Sequence, residues 1–160
     1  ALAERCGVPH TVGGSPADTQ GAIEDITDGD LAGISVDAVG HSAVVMQALR
    51  ATASHGQIVI LGSPRVPVEG NLTDLLSEVH LRWITIRGAL EWSLPMDPVT
   101  GGHVSQYSKQ QMIFDWLARG KMQLEPLVSH RMSPRDIKQA YDGLEHEPNI
   151  FTGVLLDWSR

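Results

Sequence analysis

The sequence predicts an α/β fold, in which a mostly parallel sheet is flanked by helices. Two short apolar strands, at residues 36–39 and 58–61, are joined by a helix at residues 42–54. Each of the two strands ends at a glycine, Gly40 or Gly62, and strands and helices continue to alternate to the end of the chain. Because each helix carries the chain back to the start of the next strand, this alternation favours a parallel sheet.

The first two helices are predicted from their ends. Residues 2–6 have the form of the last turns of a helix, closed by the glycine that follows. Residues 10–12 are predicted as a short edge strand. Ser15 and Pro16 have the form of a helix start, because serine caps the first turn and proline lacks an amide hydrogen that would stay unpaired there. This helix is expected to end at about Thr27.

The middle of the chain predicts further helices and strands. The helix at residues 42–54 carries an apolar stripe at core-facing spacing, formed by Val44, Val45, Ala48 and Leu49, and Gly56 is expected to end it. The continuous apolar run at residues 58–61 is typical of a strand buried on both faces. Asn71 is expected to cap the next helix, and residues 83–86 are predicted to form the next strand.

The last third begins with residues 92–107, which have no clear period; long ordered loops of this kind are often functional or interfacial. A helix follows, with Met112, Ile113, Trp116 and Leu117 expected to face inward. Ser133 and Pro134 predict the start of the last helix. Its expected apolar face consists of Ile137, Ala140, Tyr141 and Leu144. Short strands are predicted at residues 127–130 and 153–158.

Composition excludes several classes of function. The formal net charge is −7 and the chain has only three lysines, so we expect no basic surface for nucleic acid. No apolar stretch approaches the roughly 20 residues needed to cross a bilayer, so we expect no membrane contact. The single cysteine, Cys6, excludes an internal disulfide framework and a multi-cysteine zinc site, and it predicts a reducing, cytoplasmic location.

The seven histidines do not form a metal-binding pattern. They are His10, His41, His55, His80, His103, His130 and His146. No two of them are four residues apart, as on one face of a helix, and a zinc site needs about four ligands, or three and a water. We therefore predict no metal site in this chain. A triad of Ser63, His130 and Asp37 is also discounted, because no Gly-x-Ser-x-Gly turn presents the serine.

Glycines follow three successive predicted strands, at Gly40, Gly62 and Gly88. A dinucleotide lies across the carboxyl ends of parallel strands, and glycine lets main chain approach it closely because glycine has no Cβ. These strand ends therefore predict a shelf for a nucleotide cofactor; the alternative is that the glycines only end strands. No glycine-rich phosphate loop precedes them and the chain starts at Ala1, so we interpret it as part of a larger enzyme.

Several segments occur in a fixed order along the chain. They are Val36-Asp37-Ala38-Val39-Gly40, Gly56-Gln57-Ile58-Val59-Ile60-Leu61-Gly62, Ile84-Thr85-Ile86-Arg87-Gly88-Ala89, Leu127-Val128-Ser129-His130-Arg131 and Gly153-Val154-Leu155-Leu156. Together they resemble the C-terminal half of the medium-chain dehydrogenases/reductases, the zinc alcohol dehydrogenase superfamily, over nearly the whole chain. Within it, Ser129-His130-Arg131 and Trp158 resemble the polyol, threonine and sorbitol-type dehydrogenases.

The resemblance implies a partial Rossmann-type fold in two parts. Residues 1–90 would be the C-terminal part of the nucleotide-binding domain. Residues 91–160 would be a connecting helix and a C-terminal segment that packs on it and returns to the catalytic domain, whose N-terminal part is missing. The family's zinc ligands lie in that missing part, so zinc is expected in the parent protein but not in this segment. We expect no catalytic residue here and no activity of the isolated chain.

The resemblance also implies contacts with NAD or NADP; the acid that selects between them would precede the chain. Contacts near the adenosine and its ribose are implied for Ala38, Val39, Gly40 and His41. Contacts at the nicotinamide end are implied for Leu61, Gly62, Ser63, Gly88, Ala89 and Leu90. His41 replaces an arginine found in many members, so it either bonds the ribose or phosphate or only caps the following helix. Thr152 stands where members often carry a basic residue.

The implied reaction is hydride transfer between a small-molecule alcohol or polyol and the nicotinamide cofactor. A zinc-independent quinone or enoyl reductase of the same superfamily is one alternative, and a non-catalytic dimerisation module is another. In the superfamily the strand matching Trp83 to Arg87 lies at the sheet edge and pairs with its twofold mate, so a homodimer or tetramer is expected. The strands that would precede residue 36 are missing, so one side of that strand should lack partners.

Overall fold

The computed structural model describes residues 2–102 and 104–159 and has an α/β fold, as predicted. Its helices are α1 (Leu2–Arg5), α2 (Pro16–Ile26), α3 (Ser42–Ala51), α4 (Leu72–Leu81), α5 (Gln106–Ala118) and α6 (Ile137–His146). Its strands are β1 (Ala32–Asp37), β2 (Thr52–Ile60), β3 (Thr85–Gly88), β4 (His130–Met132) and β5 (Val154–Leu156). The chain divides into two compact units, Val12–Pro95 and Ala1–Thr11 with Met96–Arg160. The predicted boundary near residue 90 stays a prediction.

The unit Val12–Pro95 contains a parallel sheet in the order β1, β2, β3. Asp37 pairs with Ile60, and Ile60 pairs with Gly88, so the three strands end level with one another. Parallel neighbours need crossover connections, and α3 and α4 provide them. The chain therefore leaves all three strands at the same edge of the sheet.

The core of this unit lies between the sheet and its two crossover helices. Ile58, in the central strand, is fully buried, and Leu49 and Ile84 are buried beside it. The residues that pack against this cluster are Val45, Ala48, Leu75 and Val79. Val45, Ala48 and Leu49 share one face of α3, because positions three and four residues apart lie on the same side of a helix. The predicted stripe is thus confirmed at these three positions but not at Val44.

The other face of the sheet is open within the described part of the chain. Ile34 and Val36 are 65% and 56% exposed, whereas Asp37 is buried, because successive side chains of a strand point to opposite faces. Among the described residues no strand pairs with the free side of β1. The main-chain groups on that side are therefore available for pairing.

Helix α3 ends before Gly56, contrary to the prediction. Thr52 already begins β2, and its hydroxyl donates to the main-chain oxygen of Ala48 at 2.6 Å. The guanidinium of Arg82 donates to the main-chain oxygens of Leu49, at 3.0 Å, and of Thr52. Because these side chains satisfy carbonyls that a helix end leaves unpaired, the helix does not need a glycine to stop.

Strand β3 begins at Thr85 and not at Trp83. Trp83 has a φ of 52°, in the left-handed region, and the amide of Ile84 donates to the oxygen of Val79 at 3.1 Å. This is the hydrogen bond that closes a helix when its following residue is left-handed. The indole also stacks on His55 with 5.0 Å between ring centres. Closure of α4 thus overrides the strand propensity of tryptophan.

The unit of residues 1–11 and 96–160 contains the two-stranded parallel pair of β4 and β5. The hydroxyl of Ser129 donates to the oxygen of Gly153 at 2.9 Å and accepts from the amide of Thr152 at 3.0 Å. These bonds fix the start of the pair. The strand β4 starts later than predicted, because Glu125–Leu127 forms a 3-10 turn.

Several predicted details differ in the structure. On α5, Ile113 and Leu117 are half-buried, but Met112 and Trp116 are exposed. On α6, Ala140 is buried, whereas the exposed members of its expected apolar face are Ile137, Tyr141 and Leu144. The described residues 10–12 form no strand. Part of the apolar face of α5 and of α6 is therefore uncovered in the described chain.

No described helix is both long and apolar enough to span a membrane.

Candidate functional site

The structure brings the predicted site residues together at one edge of the sheet. They lie at the ends of β1, β2 and β3 or directly after them, and these strands end level at Asp37, Ile60 and Gly88. We call the segments 38–41, 61–63 and 88–90 the strand-end shelf. In a parallel α/β sheet, ligands bind outside the carboxyl ends of the strands. The shelf is therefore in the position that such a ligand requires.

Two glycines allow the first two segments of the shelf to touch through their main chains. Gly40 has a φ of 80°, and a Cβ built on it would collide with the carbonyl of Ser63. A Cβ on Gly62 would collide with the amide of Gly40 and would lie 2.8 Å from the carbonyl carbon of Val39. Both glycines are thus required by contact between the segments. Gly40 is buried by this contact, so its direct contact with a ligand stays a prediction.

Gly88 has a different environment. No described atom lies within 4 Å of a Cβ built on it. The amide of Ala89 donates to the oxygen of Ile60 at 3.0 Å, which continues the sheet pairing one residue past β3. Packing among the described residues therefore leaves open space at Gly88, at the same edge as the other two glycines.

Asp37 links the first two segments and was not predicted as a site residue. Its main-chain oxygen accepts hydrogen bonds from the amides of Leu61, at 2.9 Å, and Gly62, at 2.8 Å. Its Oδ1 accepts from the amides of Val39, at 2.9 Å, and Gly40, at 3.3 Å. An aspartate that bonds the main chain two residues on is a turn signal, and this signal at a strand end could have identified Asp37. The turn that Asp37 forms also explains why Ala38 and Val39 lie beyond the end of β1, although residues 36–39 were predicted as one strand.

His41 caps helix α3. Its Nδ1 accepts a hydrogen bond from the amide of Ala43 at 3.1 Å, and its main chain forms an isolated parallel bridge with Val66. The capping role, one of the two predicted for this residue, is therefore present in the structure. A role in binding ribose or phosphate stays a prediction.

Each segment of the shelf also presents an exposed apolar side chain. Val39 follows β1, Leu61 follows β2 and Leu90 follows β3; their exposed fractions are 73%, 53% and 56%. Small-molecule sites combine apolar surface with a few main-chain or polar groups that orient the ligand. The shelf has the apolar surface, whereas five of its amides already donate to Asp37 or Ile60, so any polar contact with a ligand comes from its other main-chain groups.

A groove of about 360 Å³ lies between α3 and α4 beside the shelf, because its lining includes Ile60 and Pro64. Its lining includes Val45, Val68 and Leu75, together with the polar residues Ser42 and Asn71. None of the predicted cofactor contacts lines it. The groove is therefore the natural comparison site for any binding experiment on the shelf.

The described residues contain no group of three or more His, Cys, Asp or Glu that could hold a metal ion. His103 lies outside the described residues. The predicted lack of a metal site in this chain stays a prediction.

Comparison with protein families matches residues 1–97 to the family described as zinc-binding dehydrogenase. The L-threonine 3-dehydrogenase of Bacillus velezensis is 25% identical over 142 residues, which cover 89% of this chain and 37% of that protein. The L-threonine 3-dehydrogenase of Bacillus subtilis is 23% identical over 141 residues, covering 88% of this chain and 36% of that protein. The chain thus spans little more than a third of the length of these curated relatives.

Solved structures share the fold of the chain. An alcohol dehydrogenase from E. coli CFT073, described as short chain and as complexed with NADH, has a TM-score of 0.73 and 17% identity, covering 98% of this chain and 41% of its own. Zinc dependent alcohol dehydrogenase 2 from Streptococcus pneumonia has a TM-score of 0.70 and 24% identity, covering 96% and 40%. These similarities confirm the α/β fold with its parallel sheet and flanking helices.

Proposed function

Since the chain belongs to the zinc-binding dehydrogenase family, we propose that it is the C-terminal part of an NAD(P)-dependent oxidoreductase. The parent enzyme transfers a hydride between an alcohol, including a polyol, and the nicotinamide cofactor. The observation that carries this proposal is the strand-end shelf, where three parallel strands end level and present main chain beside apolar side chains. The same family membership favours a zinc-type enzyme over a zinc-independent quinone or enoyl reductase.

The chain's own role in this reaction is to bind and orient the cofactor. The segment 38–41 lies near the adenosine and its ribose, and the segments 61–63 and 88–90 lie near the nicotinamide end. A carboxamide needs one donor and one acceptor, and main chain at strand ends supplies both. The cofactor supplies the hydride chemistry when it is bound.

The described residues do not suit a zinc site, because they contain no cluster of three potential ligands. Zinc ligands of the parent, which would polarise the alcohol, lie in a part of the enzyme outside this chain. No residue of this chain is proposed to be catalytic, so the isolated chain is expected to be inactive. A cytoplasmic location and assembly through the β3 edge complete the proposal.

Titration with NADH and NADPH, followed by nicotinamide fluorescence, tests cofactor binding. The variant Gly88→Val places a side chain where the described structure has open space, so folding should be unchanged while a bound dinucleotide is crowded. We expect its affinity to fall by roughly tenfold or more, equivalent to about 1.4 kcal/mol.

The matched control is Gly33→Val. A Cβ on Gly33 also has no described atom within 4 Å, but Gly33 lies in β1 near the other end of the sheet. The Gly33→Val variant should bind NADH and NADPH with the affinity of the wild type. Failure of the wild-type protein to bind either dinucleotide at millimolar concentration would favour a non-catalytic dimerisation module. Equal affinity of Gly88→Val and the wild type would place any binding elsewhere.

A further inference from the structure

Asp37 is a buried carboxylate with one unpartnered oxygen. The residue is 1% exposed, and its Oδ1 accepts from the amides of Val39 and Gly40. Its Oδ2 is also buried, and no group in residues 2–102 or 104–159 donates a hydrogen bond to it. Burial of a charged oxygen without a partner costs free energy, so this position needs an explanation.

Stability alone does not explain an aspartate at position 37. An asparagine has nearly the same shape, and its Oδ1 could accept the same two amides; it would bury an unpartnered amide group instead of an unpartnered charged oxygen, and a charge costs more to bury. What a carboxylate adds is strength, because hydrogen bonds to an ionised acceptor are shorter and stronger than those to a neutral one. The extra strength acts on the amides of Val39 and Gly40, which belong to the strand-end shelf.

The same residue holds the second segment of the shelf through its main chain. The amides of Leu61 and Gly62 both donate to the Asp37 carbonyl, at 2.9 and 2.8 Å. Four amides from two connections therefore converge on one residue, and Gly62 lies against Gly40 where they meet. Any residue at position 37 would supply the same carbonyl, so the side chain acts directly only on Val39 and Gly40 and reaches the second segment through the contact between Gly40 and Gly62.

We propose that Asp37 is a positioning residue, which holds segments 38–41 and 61–63 in the arrangement that the dinucleotide needs. The inference rests on the proposed function. The free-energy cost of burying the unpartnered Oδ2 is offset when the ligand binds. A shelf that is already rigid loses less conformational freedom on binding, and this preorganisation raises affinity. Asp37 acts through these main-chain groups and does not itself touch the cofactor.

The variant Asp37→Asn separates positioning from stability. Because it removes a buried charge but buries an unpartnered amide group and weakens two hydrogen bonds, its thermal midpoint should stay close to that of the wild type. Because its acceptor is weaker, its NADH affinity should fall roughly three- to tenfold, about 0.7–1.4 kcal/mol. Asp37→Ala should lose both stability and affinity. The control Ile58→Val, in the core, should lower the thermal midpoint and leave affinity unchanged.

Two results would overturn this role. The first is an Asp37→Asn variant that binds NADH as tightly as the wild type. The second is a loss of NADH affinity that is proportional to the fall in thermal midpoint across Asp37→Asn, Asp37→Ala and Ile58→Val. The isosteric Asn variant decides the question even where Asp37→Ala does not fold. Absence of NADH and NADPH binding to the wild type would instead count against the proposed function.

Hydrogen exchange tests the same role without any ligand. In Asp37→Asn, the amides of Val39 and Gly40, which donate to the side chain, should exchange at least several-fold faster than in the wild type. The amide of Ile58 in the core should keep its rate. Unchanged rates at these two amides would show that the carboxylate does not hold segment 38–41, whatever the binding result.

Discussion

Gly40 and Gly62 show how two residues without side chains determine the shape of the strand-end shelf. Each would place a Cβ inside the main chain of the opposite segment, so neither position accepts another residue without movement. Their role is contact between loops, and Asp37 reinforces this contact with hydrogen bonds to both segments. The shelf is therefore built mainly by contacts between main-chain segments, and the side chain of Asp37 stabilises the first of them.

The variant Gly62→Ala tests this contact. The added methyl group would collide with the amide of Gly40, so we expect the free energy of unfolding to fall by about 1–3 kcal/mol. Urea unfolding measures this change. The control Gly70→Ala, in the same connection, meets no described atom within 4 Å and should change stability little. Equal effects of the two substitutions would contradict the close contact.

Sequence reasoning located the glycines but not Asp37, and the reason is physical. A glycine after an apolar run is visible in the sequence, because strand ends need main chain that turns sharply. The burial of Asp37 depends on the packing of two connections that are more than twenty residues apart, which no local pattern encodes. Its only local signal is the short spacing to Gly40, which is typical of aspartate turns.

At the scale of elements, the start of α2 shows a capping box. The Ser15 hydroxyl donates to Asp18 Oδ2 at 2.6 Å, and the Ser15 amide donates to it at 3.0 Å. The hydroxyl bond first, and the amide bond second, lower the pKa of Asp18 below its ordinary value. The folded chain thus favours the charged carboxylate at the helix start.

This cap makes the start of α2 sensitive to acid. Because folding lowers the pKa of Asp18, the contribution of the cap is complete above the ordinary pKa of an unfolded aspartate and is lost as the pH falls through the lower folded value. In Ser15→Ala the pKa of Asp18 should rise toward its ordinary value, as measured by NMR titration of the carboxyl group. Thr27→Ala, at the other end of α2, should not move it. An unchanged pKa in Ser15→Ala would contradict the capping box.

Helix starts were predicted better than helix ends. Ser15 and Asn71 cap their helices as expected, because each uses a side-chain oxygen close in sequence to the amide it accepts from. The end of α3 depends on Arg82, which is thirty-three residues away from Leu49. The start of β3 depends on a left-handed Trp83, a conformation that tryptophan rarely adopts. Such distant or strained determinants are not readable from local pattern.

At the scale of the whole molecule, the sheet has two free edges in the described residues, at β1 and at β3. Exposed edges invite pairing with another chain unless they are covered. The proposed homodimer uses β3. The variant Thr85→Lys, which adds a charge at an exposed position of that edge, should shift the assembly toward monomer in light scattering. Ile34→Lys, at the matching exposed position of β1, is the control and should not. The reverse pattern would assign the interface to β1.

The arrangement of the sheet was predictable, because apolar runs and intervening helices determine a parallel order. The exposed faces of α5 and α6 were not, since Met112 and Tyr141 are apolar residues in helical register and only tertiary packing decides whether they are covered. The proposed parent enzyme is larger than this chain, which spans 37% of the threonine dehydrogenase of Bacillus velezensis. Exposed apolar positions of the chain are therefore natural candidates for contact with the rest of that enzyme.

NMR of the isotope-labelled protein during titration with NADH tests the role of the strand-end shelf most directly. The amide signals of segments 38–41, 61–63 and 88–90 should shift together with one dissociation constant, since these segments share one edge of the sheet. Shifts confined to the groove residues Val45, Val68 and Leu75, or no shifts at millimolar NADH, would contradict a dinucleotide site at the ends of the three strands.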